Sequence, residues 1–360
     1  MSLVFIVGVM VIQQQLKFIQ TKNLGYDREN VLCFQRSRND GDPQIFLDEL
    51  RRIPGVIACG NMASSITNRF DTQTGYSWRG EETDKKILFE SPRIGYDVIE
   101  ALDIKLIAGR TFSRDRQDDY SKIILNESAV ALMDLNDPVG RIIYNGSGDY
   151  RRPQEIIGVV RDFQYGSIHK KIAPMILRFR ADERDIIVRY KSDQEQAIIA
   201  EIDKLYQEFH PDFTFNYTFL NDDYRQLYQA ENRVAVLSRF FGGLTIIISC
   251  LGLFGLAMFT TEKRRKEISI RKVLGASVFG IIQLLTKEFS KTILIAILIA
   301  IPFSYFLCLF WLESFAYSIK LSFWHFFLPA LLILVIACLT VTTQTFQAAR
   351  VDPASNLKDE

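Results

Sequence analysis

Three long apolar runs near the C-terminus constrain this fold more than any other feature of the chain. They are Phe240–Phe259, Thr292–Leu312 and Phe323–Thr343, of 20, 21 and 21 residues. None contains an acidic residue, lysine or arginine, and His325 sits near one end of the last. A helix needs about 20 apolar residues to cross a hydrocarbon layer about 30 Å thick. Buried helices of soluble cores rarely run beyond about 14 residues without a charge, so the runs predict three complete transmembrane helices. The rest of the 360 residues is ordinarily polar, although the whole chain is 48% hydrophobic. Such a split predicts a soluble domain joined to a membrane domain. A net charge of +1 gives no overall field that would gather nucleic acid, and no nucleic-acid partner is expected.

The N-terminus is different. Leu3–Ile12 is apolar but only ten residues long. It lacks the basic flank and small-residue cleavage site of a signal peptide. It runs on into QQQLKFIQTKNLGYD, where Leu16, Phe18 and Ile19 suit a continuing helix. Residues 1–20 therefore read as a partial first transmembrane helix, the outer part of a span that has lost its inner part in a truncated unit.

Orientation follows from lysine and arginine in short loops, which stay on the cytoplasmic side. Lys263, Arg264, Arg265 and Lys266 open the loop after the first complete run, followed by Arg271, Lys272, Lys287 and Lys291. The next loop, Glu313–Ser322, holds only Lys320. Residues 260–291 and the C-terminus are therefore expected in the cytoplasm, with Lys263–Lys266 as the topology anchor, and residues 20–230 outside.

That outer region alternates strand and helix signals. Asn30–Gln35, Val56–Cys59, Ile123–Leu125, Ile156–Val160 and Phe213–Leu220 read as strands. Asp42–Arg52 reads as a helix with Asp42 as N-cap, Pro43 in its first turn, and an apolar face of Ile45, Phe46 and Leu50. Ala197–Phe209 reads as an amphipathic helix. The pattern is α+β rather than a regular parallel array. Five cysteines are present, with no zinc spacing, and Cys33 and Cys59 have the option of pairing in an oxidising compartment. Asp162 and His169 allow a Ser-His-Asp reading, but no G-x-S-x-G elbow accompanies them, and loop structure is the simpler account. No G-x-x-x-x-G-K-[ST] occurs, so an ATPase, if one acts, is expected in a separate subunit. No catalytic residue, cofactor or metal site is expected.

The stretch TEKRRKEISIRKVLGASVFGIIQLLTKEF, starting at Thr261, resembles the cytoplasmic connection of MacB/FtsX-type ABC transporter permeases. The tail AARVDPASNLKDE is similar to the ending of that family. GRTFSRD (Gly109–Asp115), ILNESAVALM (Ile124–Met133), DPVGR (Asp137–Arg141), IIGVVRDF (Ile156–Phe163) and IAPMIL (Ile172–Leu177) resemble its periplasmic core domain. The resemblance implies a membrane protein whose α-helical transmembrane domain has three complete spans plus a partial N-terminal one, with an inserted α+β extracytoplasmic domain. The expected divisions are residues 1–20 for the partial helix, 21–232 for the MacB-like core domain with a subdomain insertion at about 70–180, and 233–360 for the FtsX-like domain. Within the last, spans are expected at about 236–260, 290–312 and 323–345, around a cytoplasmic coupling segment at 261–289. It also implies a multi-pass protein of the bacterial inner membrane, its large domain periplasmic. The implied partners are a cytoplasmic ABC ATPase, a second permease unit (a homodimer or a fused half), membrane lipid and a periplasmic protein.

The residues themselves support a coupling segment. Glu267–Leu274 suits a short helix with Ile270, Val273 and Leu274 on one face. Gly275 fits its C-cap and Ser277 the next N-cap. An amphipathic helix too short to span wants a partner groove, and the resemblance supplies an ATPase. The residues assigned to docking are Glu267, Ile268, Ile270, Arg271, Lys272, Leu274 and Gly275. The simpler alternative is an anchor to anionic lipid, at about 1 kcal/mol per basic residue. The spans hold no acidic residue, which argues against ion-coupled transport. A membrane-anchored receptor or regulator of an outer-face enzyme is the competing function, and a membrane enzyme a weaker third.

Overall fold

A computed structural model describes residues 1–37, 41–68, 71–78, 87–146, 150–264, 267, 270 and 278–349. The chain separates into two units, Lys22–Gln229 and Met1–Thr21 with Ala230–Glu360.

In the first unit, alternation in VLCFQ builds strand β1, Val31–Gln35, and turns Leu32 and Phe34 into the core. The strands that follow are β2 (Val56–Met62), β3 (Thr72–Gln73), β4 (Tyr76–Ser77), β5 (Phe89–Glu90), β6 (Arg93–Ile94), β7 (Leu106–Gly109), β8 (Lys122–Asn126), β9 (Ile142–Asn145), β10 (Arg152–Val160), β11 (Ile176–Phe179), β12 (Asp185–Tyr190) and β13 (Tyr217–Phe219). One mixed sheet runs in the order β13-β1-β12-β2-β6-β11-β8-β10-β9-β4, with β7 on β10 and β3 paired separately with β5. The pairs β10–β8 and β11–β6 are parallel.

Two apolar cores sit on this sheet. One gathers Leu32, Phe34, Cys59, Ile186 and Val188 with Phe46, Leu47 and Leu50 of one helix (Pro43–Arg52) and Ile198, Ile202 and Tyr206 of another (Glu195–Phe209). The other gathers Tyr76, Phe89, Ile123, Leu125, Ile156 and Ile176 around Ala129 and Met133 of Glu127–Met133. The Pro43–Arg52 helix starts as its sequence dictates, with the Asp42 carboxylate accepting from the Gln44 N–H at 2.9 Å. Its buried face differs from the expected one. Ile45 is 58% exposed, and Leu47 takes its place in the core. Phe213–Leu220 is strand only over Tyr217–Phe219, and Leu220 opens the next helix. Phe215 packs edge-on against Phe34 instead of extending the ladder.

Cys33 and Cys59 do not pair. Cys33 lies opposite Ile187 and Cys59 opposite Val188, so the whole of β12 separates them. Two strand spacings are about 9.6 Å, beyond the reach of a disulfide. Both thiols are free. Burial pushes Cys33 well up and Cys59 up to about 12, against the lowering pull of Arg51 on Cys59.

In chain order the helices are α1 (Ser2–Thr21), α2 (Pro43–Arg52), α3 (Val98–Ala101), α4 (Glu127–Met133), α5 (Glu195–Phe209), α6 (Leu220–Gln226), α7 (Gln229–Lys263), α8 (Val278–Leu312) and α9 (Trp324–Ala349). The second unit holds α1, α7, α8 and α9. Each has a stretch long and apolar enough to cross a membrane: Ser2–Thr21, Gln229–Thr260, Ser290–Leu312 and Trp324–Thr343. At 35 residues, α7 and α8 are each about 52 Å long, more than a bilayer needs. Leu3, Val7 and Val11, one turn apart on α1, pack with Cys308 and Leu312 of α8 and Phe326 and Ala330 of α9.

α1 is one continuous helix over Ser2–Thr21, as the expected helix over residues 1–20 requires. The ten-residue apolar count stopped at Gln13–Gln15, yet the helix continues through them because two of these amides are matched. Gln15 Nε2 donates to the Tyr317 carbonyl at 2.8 Å, and its Oε1 accepts from the Ile319 N–H at 2.9 Å. Gln14 Oε1 meets His325 Nε2 at 2.5 Å, while His325 Nδ1 lies 3.0 Å from the Ser322 N–H. A satisfied amide is tolerated where a bare one would not be.

Candidate ATPase-coupling segment

The basic loop begins where α7 stops. Thr260 Oγ1 donates to the Leu256 carbonyl at 2.7 Å, and the Arg264 N–H reaches the Thr260 carbonyl at 3.1 Å. Lys263 occupies the last turn, where a cation complements the negative end of the helix dipole. Of the anchor residues, Lys263 and Arg264 are thus placed at this helix end, while Arg265 and Lys266 lie outside the described residues.

Of the residues expected to dock, the structure describes Glu267 and Ile270. Both have helical backbone and both are exposed, Ile270 at 56%. Their spacing puts them on one face of a helix. Ile268, Arg271, Lys272, Leu274 and Gly275 lie outside the described residues. The chain re-enters regular structure at Val278, the start of α8. The geometry is therefore a helical carboxylate and a helical isoleucine, one turn apart and open to solvent, between two helices of 35 residues each. An exposed isoleucine beside charges suits a shallow protein groove better than water.

In the outer unit the imagined catalytic triad does not form. Asp162 caps α4: its Oδ1 accepts from the Ser128 N–H at 2.9 Å and its Oδ2 from the Ser128 hydroxyl at 2.6 Å. Asn126 Oδ1 adds a cap on the Ala129 N–H. The His169 ring instead lies 6.2 Å from that of Tyr228.

Sequence reasoning missed a cavity of about 720 Å³ beside β13 and β1, lined among others by Gln35, Asp185, Tyr206, Phe213, Tyr217 and Asp223. Burial pushes both carboxyls up, against the lowering effect of Gln35 on Asp185 and of Thr218 on Asp223. Its lining comes from four separate stretches of chain, so no local motif signals it. Among the described residues no group of histidine, cysteine and carboxylate side chains is arranged to hold a metal.

Residues 239–353 match the family described as FtsX-like permease C-terminal. The chain is 24% identical over 204 residues to the macrolide export ATP-binding/permease protein MacB of Aggregatibacter actinomycetemcomitans, across 53% of this chain and 31% of that protein. It is 23% identical over 287 residues to the MacB of Chromobacterium violaceum, across 74% of this chain and 43% of that one. The solved periplasmic region of MacB from Actinobacillus actinomycetemcomitans is similar at 17% identity and a TM-score of 0.40, over 58% of this chain and 97% of that one. The chain spans about a third to two fifths of the length of the curated relatives it matches. The family match over α7, α8 and α9 and the relatives that extend through the outer unit together support an ABC transporter permease of the MacB/FtsX type.

Proposed function

We propose that this permease couples ATP hydrolysis by a partner subunit to movement of its outer domain, for export or mechanotransmission. The observation that carries the reading is the solvent-exposed helical pair Glu267 and Ile270, inside the family-matched residues and between two membrane-length helices. The relatives' names join ATP-binding and permease in one protein. Residues 1–360 carry no P-loop sequence, and in this reading the ATPase is a cytoplasmic partner subunit. In this reading residues 1–20, 21–232 and 233–360 are a partial first membrane helix, a periplasmic core domain and the transmembrane domain. Glu267, Ile268, Ile270, Arg271, Lys272, Leu274 and Gly275 dock on the ATPase, Lys263–Lys266 hold the cytoplasmic side against anionic lipid, and the C-terminus is cytoplasmic. A second permease unit completes the transporter, and the outer domain is free to meet a periplasmic protein.

The test is co-purification from native membranes with gentle solubilisation. A stoichiometric P-loop ATPase is expected with the wild type, and its loss with Ile270→Asp and Leu274→Asp while both variants still insert. Undiminished ATPase recovery with both variants would move the docking surface elsewhere. Recovery of lipid or outer-face proteins alone would favour the receptor reading.

A further inference from the structure

The outer unit is reached through two covalent connections, and both are fastened to it within a few residues. The first follows α1. The Leu24 carbonyl accepts from the Gln164 N–H at 2.7 Å. Gly25 has φ of +82°, and a Cβ there would lie 2.4 Å from the Asp162 carbonyl oxygen, so only glycine allows this approach. The Asp27 N–H donates to the Leu102 carbonyl at 2.8 Å. Arg189 on β12 holds the Asp27 carboxylate at 2.8 Å, the Asp27 carbonyl at 2.9 Å and the Ala101 carbonyl at 2.6 Å.

The second connection precedes α7. Tyr224 and Tyr228 are each 1% exposed, with ring centroids 5.2 Å apart. The Tyr228 hydroxyl accepts from the N–H of Ile168, itself fully buried, at 2.9 Å. The two connections then meet: the Arg28 guanidinium lies over the Tyr224 ring, 4.2 Å from its centroid. Burial pushes the neighbouring Tyr26 phenol well up, in a setting that includes Arg28 and Tyr228.

A linker built to bend would be exposed, weakly bonded and rich in freely turning residues. These are buried aromatic rings, a cation–π contact and hydrogen bonds to three parts of the domain. We infer that Arg28, Tyr224 and Tyr228 form a clamp that fuses the two connections to each other and to the outer domain, so that displacement of α1 against α7 moves the domain and is not absorbed in the connections. The inference rests on the coupling reading above, and the three residues are positioning residues within it.

The test uses the full chain in nanodiscs with its co-purified ATPase, followed by hydrogen exchange with and without ATP. The Ile168 amide reports the clamp directly. Tyr228→Phe keeps the ring and removes the acceptor, and exchange at Ile168 should rise about five- to tenfold with the remaining protection unchanged. With ATP, the wild type should change exchange across the outer domain. Arg28→Ala and Tyr228→Ala should hydrolyse ATP at the wild-type rate with that response cut at least fivefold, whereas mere destabilisation would lower protection without ATP as well. A wild type that does not respond to ATP would sink the coupling reading and the transmitting role with it. A wild-type response passed on undiminished by both alanine variants, or unchanged Ile168 exchange in Tyr228→Phe, would overturn the clamp alone.

Discussion

The outer unit and the membrane unit solve opposite problems with the same side chains. In the outer unit the leucines, isoleucines and phenylalanines of the two cores leave solvent: Leu47, Leu50 and Ile202 are all fully buried. In the membrane unit they cover the surface, with Leu298 at 74% and Phe310 at 77% exposed. Water drives the first arrangement, since burying a leucine contributes about 1.5–3 kcal/mol there. A lipid tail is as apolar as leucine, so the second unit gains little from the same burial. Its specificity comes from a narrow seam of α1, α8 and α9 and from the few polar groups that must be matched. The same substitution should therefore read differently in the two units.

The sharpest break of this comparison is Leu50→Ala against Leu298→Ala. Leu50 is sealed between α2, α5 and the sheet, so its truncation leaves a cavity and should cost about 2–5 kcal/mol. That is enough to lower the melting temperature of the outer unit by several degrees in the purified full chain. Leu298→Ala should leave both melting and membrane insertion near wild type. Equal losses at the two sites would mean that Leu298 is covered by a protein partner and not by lipid.

Next in size is Gln15→Leu. By hydropathy the change should favour the membrane. By geometry it strands the Tyr317 carbonyl and the Ile319 N–H, at about 1–3 kcal/mol for groups left unmatched. A cysteine pair placed on α1 and in the 317–319 segment should cross-link less efficiently in the variant. Faster or unchanged cross-linking would show that the glutamine does not hold that segment.

These two cases also show how far the fold was legible. Apolar runs and caps are local, and local signals carried: the three long apolar helices, the Asp42 cap and most strands were visible in the sequence. What the sequence left open depends on partners distant in sequence. The glutamines of α1 are matched by residues some 300 positions away, which no local pattern shows. The separation of Cys33 and Cys59 depends on β12 slotting between β1 and β2, which no spacing reveals. Asp162, read from sequence as loop structure, has its carboxylate on a helix end 34 residues upstream. The motif named seven residues for coupling, and of these the structure places Glu267 and Ile270 on exposed helical backbone.

Asp162→Asn should have a smaller effect on the outer unit. The carboxylate accepts from both the N–H and the hydroxyl of Ser128, and the neutral amide keeps one acceptor oxygen. Losing a charge-assisted cap should cost about 1 kcal/mol. A drop in the denaturation midpoint without loss of α4 protection in hydrogen exchange would fit. A catalytic role would instead leave stability untouched.

The smallest effect concerns pH and separates the units again, because the buried carboxyls of the comparison belong to the outer one. Burial raises the Asp185 carboxyl above its ordinary range, although the Gln35 amide, at 2.8 Å, and the Ser65 backbone N–H pull the other way. An acid raised on folding binds its proton more tightly in the folded state than in the unfolded one. The folded state then holds more protons than the unfolded one above about pH 3.9, and stability falls as pH rises from there through the raised value. Asp185→Asn removes that penalty, so the variant should gain on the wild type as pH goes from 4 to 7, in melting of the purified full chain. A constant difference across this range would mean that the cavity beside Asp185 is wet enough to leave the carboxyl ordinary.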